Sequence, residues 1–115
     1  MQILSFDELP HSNNSVEFEG ENHDGTGVSF FVVDAAPGRG PSLHTHEYPE
    51  VFIVLEGGAT FRAGTEEREV SAGHVVVVPP GEPHGFTATG DGSRQVNIHV
   101  SPRFMTEWIE EEAYG

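Results

Sequence analysis

The chain has 115 residues, 36% of them hydrophobic, with 14 glycines and 8 prolines, a composition that suits one domain of many turns and short strands. Nineteen acidic residues stand against five arginines and no lysine, for a formal net charge of -14; such a surface repels nucleic acid and anionic membranes, and lysine Schiff-base chemistry is excluded. Cysteine is absent, which excludes disulfides, thiolate ligands and cysteine nucleophiles and is in keeping with a cytoplasmic protein.

The opening stretch "MQILSFDELP" has neither a basic region nor a sustained apolar run, so no conventional signal peptide is expected, and nothing in the chain has the apolar length of a transmembrane helix. "QILSF" reads as a first strand, followed by polar, glycine-containing material from Asp7 to Gly27. "VSFFVVD" (28–34) has strand character, and "APGRGP" interrupts it with a tight, partly extended loop. Further strands are predicted at 43–46, 51–56, 59–63, 66–70, 74–78, 84–88 and 94–100. "GG" at 57 and 58 and "AGT" at 63–65 read as hairpin turns, and "PPGEP" and "GDG" punctuate the later part. Short strands at this spacing predict an all-β domain, a sandwich or small barrel. The tail "SPRFMTEWIEEEAYG" predicts a short C-terminal helix, with Ser101 as N-cap and Pro102 as first helical residue. Phe104, Met105, Trp108 and Ile109 would share its apolar face and cover one end of the β-core, while Glu110, Glu111 and Glu112 oppose the helix dipole.

The chemistry concentrates in "HTHEYPE" (44–50). On a strand His44 and His46 point to the same side, and Glu50 joins them if a turn leads into the next strand. Imidazole nitrogens with a carboxylate oxygen suit a divalent transition metal. Among the other histidines, His84 is the strongest added ligand, because "PPGEPHGF" sets it at the end of a rigid turn. His74, before "VVVV", reads as an exterior strand residue. Gln95, Asn97 and His99 alternate with Val96, Ile98 and Val100; they could line a cavity, but one polar sheet face is the preferred reading. Tyr48 either meets a substrate near the entrance or lies on an exposed turn. Arg39 and Arg62 suit an anionic ligand or surface ion pairs equally.

The stretch from Gly38 to Gly57, "GRGPSLHTHEYPEVFIVLEG", resembles the first motif of the cupin family, with Gly38, His44, His46, Glu50 and Gly57 at every fixed position. The stretch 73–88, "GHVVVVPPGEPHGFTA", resembles the second, with Gly73, Pro79, Gly81 and His84 at family spacing; Ala88 stands where the family usually has asparagine. The resemblance implies a single domain over residues 1–115, a double-stranded β-helix or jelly roll. It also implies that His44, His46, Glu50 and His84 converge on one metal inside the barrel.

With Glu50 inward, Phe52 and Val54 share its face, and Phe86 and Ala88 follow His84 by the same alternation. Tyr48, Phe52, Val54 and Phe86 are thus the substrate-pocket candidates, with Phe31 or Val33 as a further wall. Val51, Ile53 and Leu55 fall on the opposite face, where a second copy of the chain would cover them, so a homodimer is expected. Three neutral histidines and one carboxylate leave a divalent site near +1. Fe²⁺ is the first choice for open-site redox chemistry, with Mn²⁺, Ni²⁺ and Zn²⁺ as alternatives. The leading functional expectation is a dioxygenase-like oxidoreductase acting on a small carbon compound, with Glu50 able to carry a proton if its metal bond loosens. The alternatives are a metal-dependent isomerase, cyclase or lyase, and a non-catalytic small-molecule binding or sensory module.

Overall fold

The computed structural model describes residues 1–110. Nine strands form one curled antiparallel sheet: β1 (His11–Ser12), β2 (Ser15–Phe18), β3 (Ser29–Ala35), β4 (His44–Thr45), β5 (Glu50–Ala63), β6 (Glu66–Ser71), β7 (His74–Val78), β8 (His84–His99) and β9 (Glu107–Trp108). One path through the sheet runs β1-β2-β3-β8-β4-β9, while β5 pairs with β6, β7 and β8. The frame is the long β5–β8 pair, running from Glu50 opposite His99 to Ala63 opposite His84. Two register shifts, between Val54 and Glu56 and between Gly57 and Ala59, bend this ribbon so that its two halves curl toward each other. The result is the expected all-β jelly-roll barrel.

Those bends correct two sequence expectations. "GG" at 57 and 58 is not a hairpin turn but lies within β5, and "GDG" lies within β8. Gly57 has φ +68, and a Cβ there would run into the carbonyl of Gly92, so the bulge needs glycine. The "AGT" turn does close a hairpin, with Ala63 opposite Glu66. "QILSF" is not a strand; residues 6–8 form a 3₁₀ turn instead. The polar stretch after it supplies β1 and β2, which sequence reading left unassigned, because β2 can dock its backbone on the edge of β3.

The C-terminal helix is also corrected. Ser101 accepts the Arg103 N–H as a cap would, but residues 104–106 carry no regular structure and 107–108 are strand β9. β9 pairs with β4, placing His44 opposite Trp108 and Thr45 opposite Glu107. The extended form puts Phe104 on Phe31, with ring centroids 4.2 Å apart, and Trp108 against His44 at 5.0 Å. A helix would satisfy its own backbone but leave the edge of β4 unpaired. Glu111 and Glu112 lie outside the described residues.

Inward-facing positions of β3, β5, β7 and β8 form the core: Val33, Ala35, Phe52, Val54, Ala59, Phe61, Val78, Phe86 and Ala88. Ala88, at the position of the family's asparagine, is simply part of this packing. Val51 and Ile53 face outward as expected, and Leu55 is exposed. Among the described residues no helix is long and apolar enough to cross a membrane.

Candidate metal centre

His44 lies on β4, His46 in the following loop, and Glu50 and His84 open β5 and β8. Three contacts bring them together. His44 pairs with His84 across β4 and β8, the Gly81 N–H donates to the His46 carbonyl at 2.8 Å, and the ribbon's curl returns Glu50 to His84. All four are buried, and their ligating atoms lie within 4.8 Å of one another. The structure thus brings together the four side chains that the sequence offers as ligand candidates.

Backbone carbonyls orient the three imidazoles. His44 Nδ1 is 2.7 Å from the Ser42 oxygen, His46 Nδ1 is 3.0 Å from that of Tyr48, and His84 Nδ1 is 2.8 Å from that of Glu82. A carbonyl only accepts, so each Nδ1 carries its hydrogen and a neutral ring keeps its lone pair on Nε2. For His46 and His84 that nitrogen lies 2.8 Å and 3.0 Å from Glu50 Oε1. Lone pair against carboxylate is repulsive unless both rings are protonated or a cation lies among the donors. Donors at right angles around an ion with bonds of about 2.1 Å stand about 3 Å apart, which matches both spacings. The donor set therefore suits one divalent metal ion, which His44, His46, Glu50 and His84 would hold.

Electrostatics agree with a cation-seeking site. Burial lowers the His44 pKa to about 4, so this ring is neutral at pH 7. Burial alone would raise the Glu50 pKa, but the neighbouring His46, His84 and His99 nitrogens outweigh it and hold the carboxyl well below its usual range. Burial also opposes protonation of His84, yet the Glu50 carboxylate beside it raises that pKa. Glu50 thus stays charged inside the protein, a cost that a bound cation offsets.

A cavity of about 50 Å³ adjoins the site, lined by His44, Glu50, Phe31, Phe52, Phe86 and Asn97 among others. Phe52 and Phe86 form one wall of it, and Phe31 and Val33 supply another. Val54 is instead core packing beyond the cavity. Tyr48 is neither on an exposed turn nor on this cavity wall. It is buried, stacks on the His46 ring at 4.3 Å, and its hydroxyl lies 2.8 Å from His99 Nδ1. Burial raises the Tyr48 pKa, so the phenol keeps its proton.

Gln95, Asn97 and His99 require correction: they are buried on the inward face of β8, not on a polar outer face. His99 Nε2 comes within 3.2 Å of Glu50 Oε2, a site residue that no motif marks. Strand alternation from Glu50's partner in register would have found it once the β5–β8 pairing was known. His74 is exposed as expected, and Arg39 lies on an exposed loop. Arg62 pairs with Glu110 at 2.7 Å at the partly exposed surface. A larger concavity of about 570 Å³ lies outside, between β6 and β7, and includes none of the four ligands.

Residues 31–100 match the family model for the cupin domain. The chain belongs to the cupin family. It is 32% identical over 75 residues to an uncharacterized protein of Streptomyces coelicolor, covering 65% of this chain and 70% of that one. In structure it is similar to oxalate decarboxylase from Bacillus subtilis at pH 4.6, with a TM-score of 0.81 and 18% identity over 92% of this chain. A second structure of that enzyme, described for its Mn(II) centres, gives the same TM-score and identity. The chain spans 31% and 32% of those two chains, respectively, so the likeness establishes the fold of one barrel.

Proposed function

We propose that this cupin is a metal-dependent enzyme acting on a small carbon compound, with dioxygenase-like oxidation as its reaction. The observation that carries the proposal is the convergence of three oriented imidazoles and one carboxylate at the wall of an aromatic cavity. A divalent ion held there would supply Lewis acidity and, if it is iron, redox chemistry at its remaining positions. Fe²⁺ is the proposed metal and Mn²⁺ the nearest alternative, in line with the Mn(II) centres of the oxalate decarboxylase. Ni²⁺ and Zn²⁺ remain compatible with the donors.

The chain's own residues do the rest. Phe31, Phe52 and Phe86 exclude water and hold the carbon part of a substrate, while the Asn97 amide offers it a polar contact. At about 10–15 Å³ per water-sized site, the cavity admits about four non-hydrogen atoms without rearrangement, which favours a compact substrate. A proton-carrying role for Glu50 would use an oxygen released from the ion. The same small volume favours a second reading, an oxygen-independent lyase on a short carboxylic acid, to which the likeness to oxalate decarboxylase lends support.

Anaerobically purified protein loaded with Fe²⁺ or Mn²⁺ should be challenged with short enediols, diketones and dicarboxylic acids, then exposed to oxygen. Oxygen uptake tracking product is the expected result. Metal-dependent turnover without oxygen would replace it with the lyase reading, and tight binding without turnover would make the chain a binding module. Equal turnover by metal-free protein would end both enzyme readings.

We also propose a homodimer. Val51 and Ile53 lie opposite Val77 and Val75, and with Leu55 they form an outward apolar face on which Val75 and Val77 are 60% and 65% exposed. A second copy would remove this face from water and shield the edge of β7. Sedimentation at several concentrations should show a dimer; a persistent monomer would overturn the proposal.

A further inference from the structure

Two of the five buried groups around Glu50 are fixed positions of neither motif: His99, which lies outside both stretches, and the Tyr48 hydroxyl, from a variable position of the first. Their hydrogen bonds form a directed chain. The Met105 N–H donates to the Tyr48 hydroxyl at 3.1 Å, and that hydroxyl lies 2.8 Å from His99 Nδ1. His99 Nε2 lies 3.2 Å from Glu50 Oε2, and an ionised carboxylate can only accept. Nε2 therefore carries the hydrogen, and Nδ1 is left to accept the phenol proton.

This tautomer is the reverse of that in His44, His46 and His84, whose Nδ1 atoms each face a backbone carbonyl. Those three rings present lone pairs to the centre, whereas His99 presents a hydrogen. The two carboxylate oxygens are divided accordingly: Oε1 faces His46 and His84, and Oε2 faces His99.

We propose that His99 is a positioning residue of the metal centre, set in its Nε2–H tautomer by the Glu50 carboxylate and held in orientation by the Tyr48 hydroxyl, and that it reserves Glu50 Oε2 so that Glu50 binds the metal through Oε1 alone. The proposal deepens, and rests on, the reading of the four-residue metal centre. Its consequence is one more coordination position for a substrate or oxygen than a bidentate carboxylate would leave.

The tautomers are read directly by long-range proton–nitrogen NMR on ¹⁵N-histidine protein, metal-free and loaded with diamagnetic Zn²⁺. His99 should show Nε2–H in both samples, while His44, His46 and His84 show Nδ1–H with Nε2 shifted by zinc. An Nδ1–H His99, or zinc on its Nε2, would overturn the assignment. Failure of zinc to bind counts against the four-ligand centre, while the metal-free spectrum still judges the His99 tautomer. His99→Leu should weaken Zn²⁺ affinity by about 10-fold, the lower end for loss of a ligand-orienting partner. His99→Gln, which keeps a donor, should recover most of that loss. Tyr48→Phe keeps the stacking on His46 and should shift the His99 Nδ1 resonance by removing its hydrogen-bond partner. Parent-like affinity in His99→Leu, or an unchanged His99 spectrum in Tyr48→Phe, would overturn the positioning role.

Discussion

Strands β5 and β8 build both ends of the barrel interior, and the ends differ. At one end Glu50 lies opposite His99; two steps along, Phe52 faces Asn97, and two steps further Val54 faces Gln95. Near the first end every charged or polar ring is tied to another, through Glu50, Tyr48 or a backbone carbonyl. Beyond the second, Val54, Ala59, Phe61 and Ala88 pack on one another, and the buried Gln95 amide bonds only the neighbouring Ser93 hydroxyl among the described residues. One strand pair thus places binding chemistry and packing in separate layers, and changes in the two layers should have separable effects.

The largest effect belongs to the polar layer. His84→Ala should take metal from one ion per chain to little or none in metal analysis, since it removes a donor from a four-donor set. In the packing layer, Phe61→Ala should cost about 3–5 kcal/mol in urea unfolding, because the side chain is 5% exposed and meets both Phe52 and Phe86. If Phe61→Ala lost metal at full folding, or His84→Ala unfolded the barrel, the layers would not be independent.

A pH series on metal-free protein should reveal the polar layer's own cost. An unfolded histidine takes up a proton near pH 6.5, but folded His44 does so only near 4. Its contribution to stability is therefore complete above pH 6.5 and lost as the pH falls toward 4, by about 3 kcal/mol. His84 works in the opposite sense: its contribution is full below pH 6.5 and declines as the pH rises through its raised folded value. Unfolding midpoints between pH 7 and 4 should fall more steeply in the parent than in His44→Asn. The smallest effect is at His74, exposed on β7, where Ala should change stability by less than about 0.5 kcal/mol and leave metal content intact.

Much of the polar layer was legible in the sequence because ligand spacing is a local property. His44 and His46 are one residue apart, and the turn before His84 announces itself by Pro79, Pro80 and Gly81. What was not legible depends on partners far away in the chain. Alternation shows that Gln95, Asn97 and His99 share a face but not which face, and that choice is made by the register with β5. Gly57 and Gly92 look like turns locally, yet the pairing resumes beyond each of them. The tail has helical periodicity, but Phe104 and Trp108 find aromatic partners and β4 offers an unpaired edge. Tertiary contacts decided these cases against local pattern.

The curl of the β5–β8 ribbon also bears on how the protein folds and comes apart. The pair Ala63–His84 closes a short loop, whereas Glu50–His99 closes the longest one in that ribbon, so zipping should begin near His84 and reach Glu50 last. Yet the curl sets Glu50 Oε1 3.0 Å from His84 Nε2. A metal ion would therefore clasp the earliest and latest parts of the zipper, a linkage absent until folding is nearly complete. In stopped-flow measurements it should slow unfolding strongly while leaving the refolding rate almost unchanged. The ion would act as a lock on the finished barrel, lengthening its lifetime without hastening its formation.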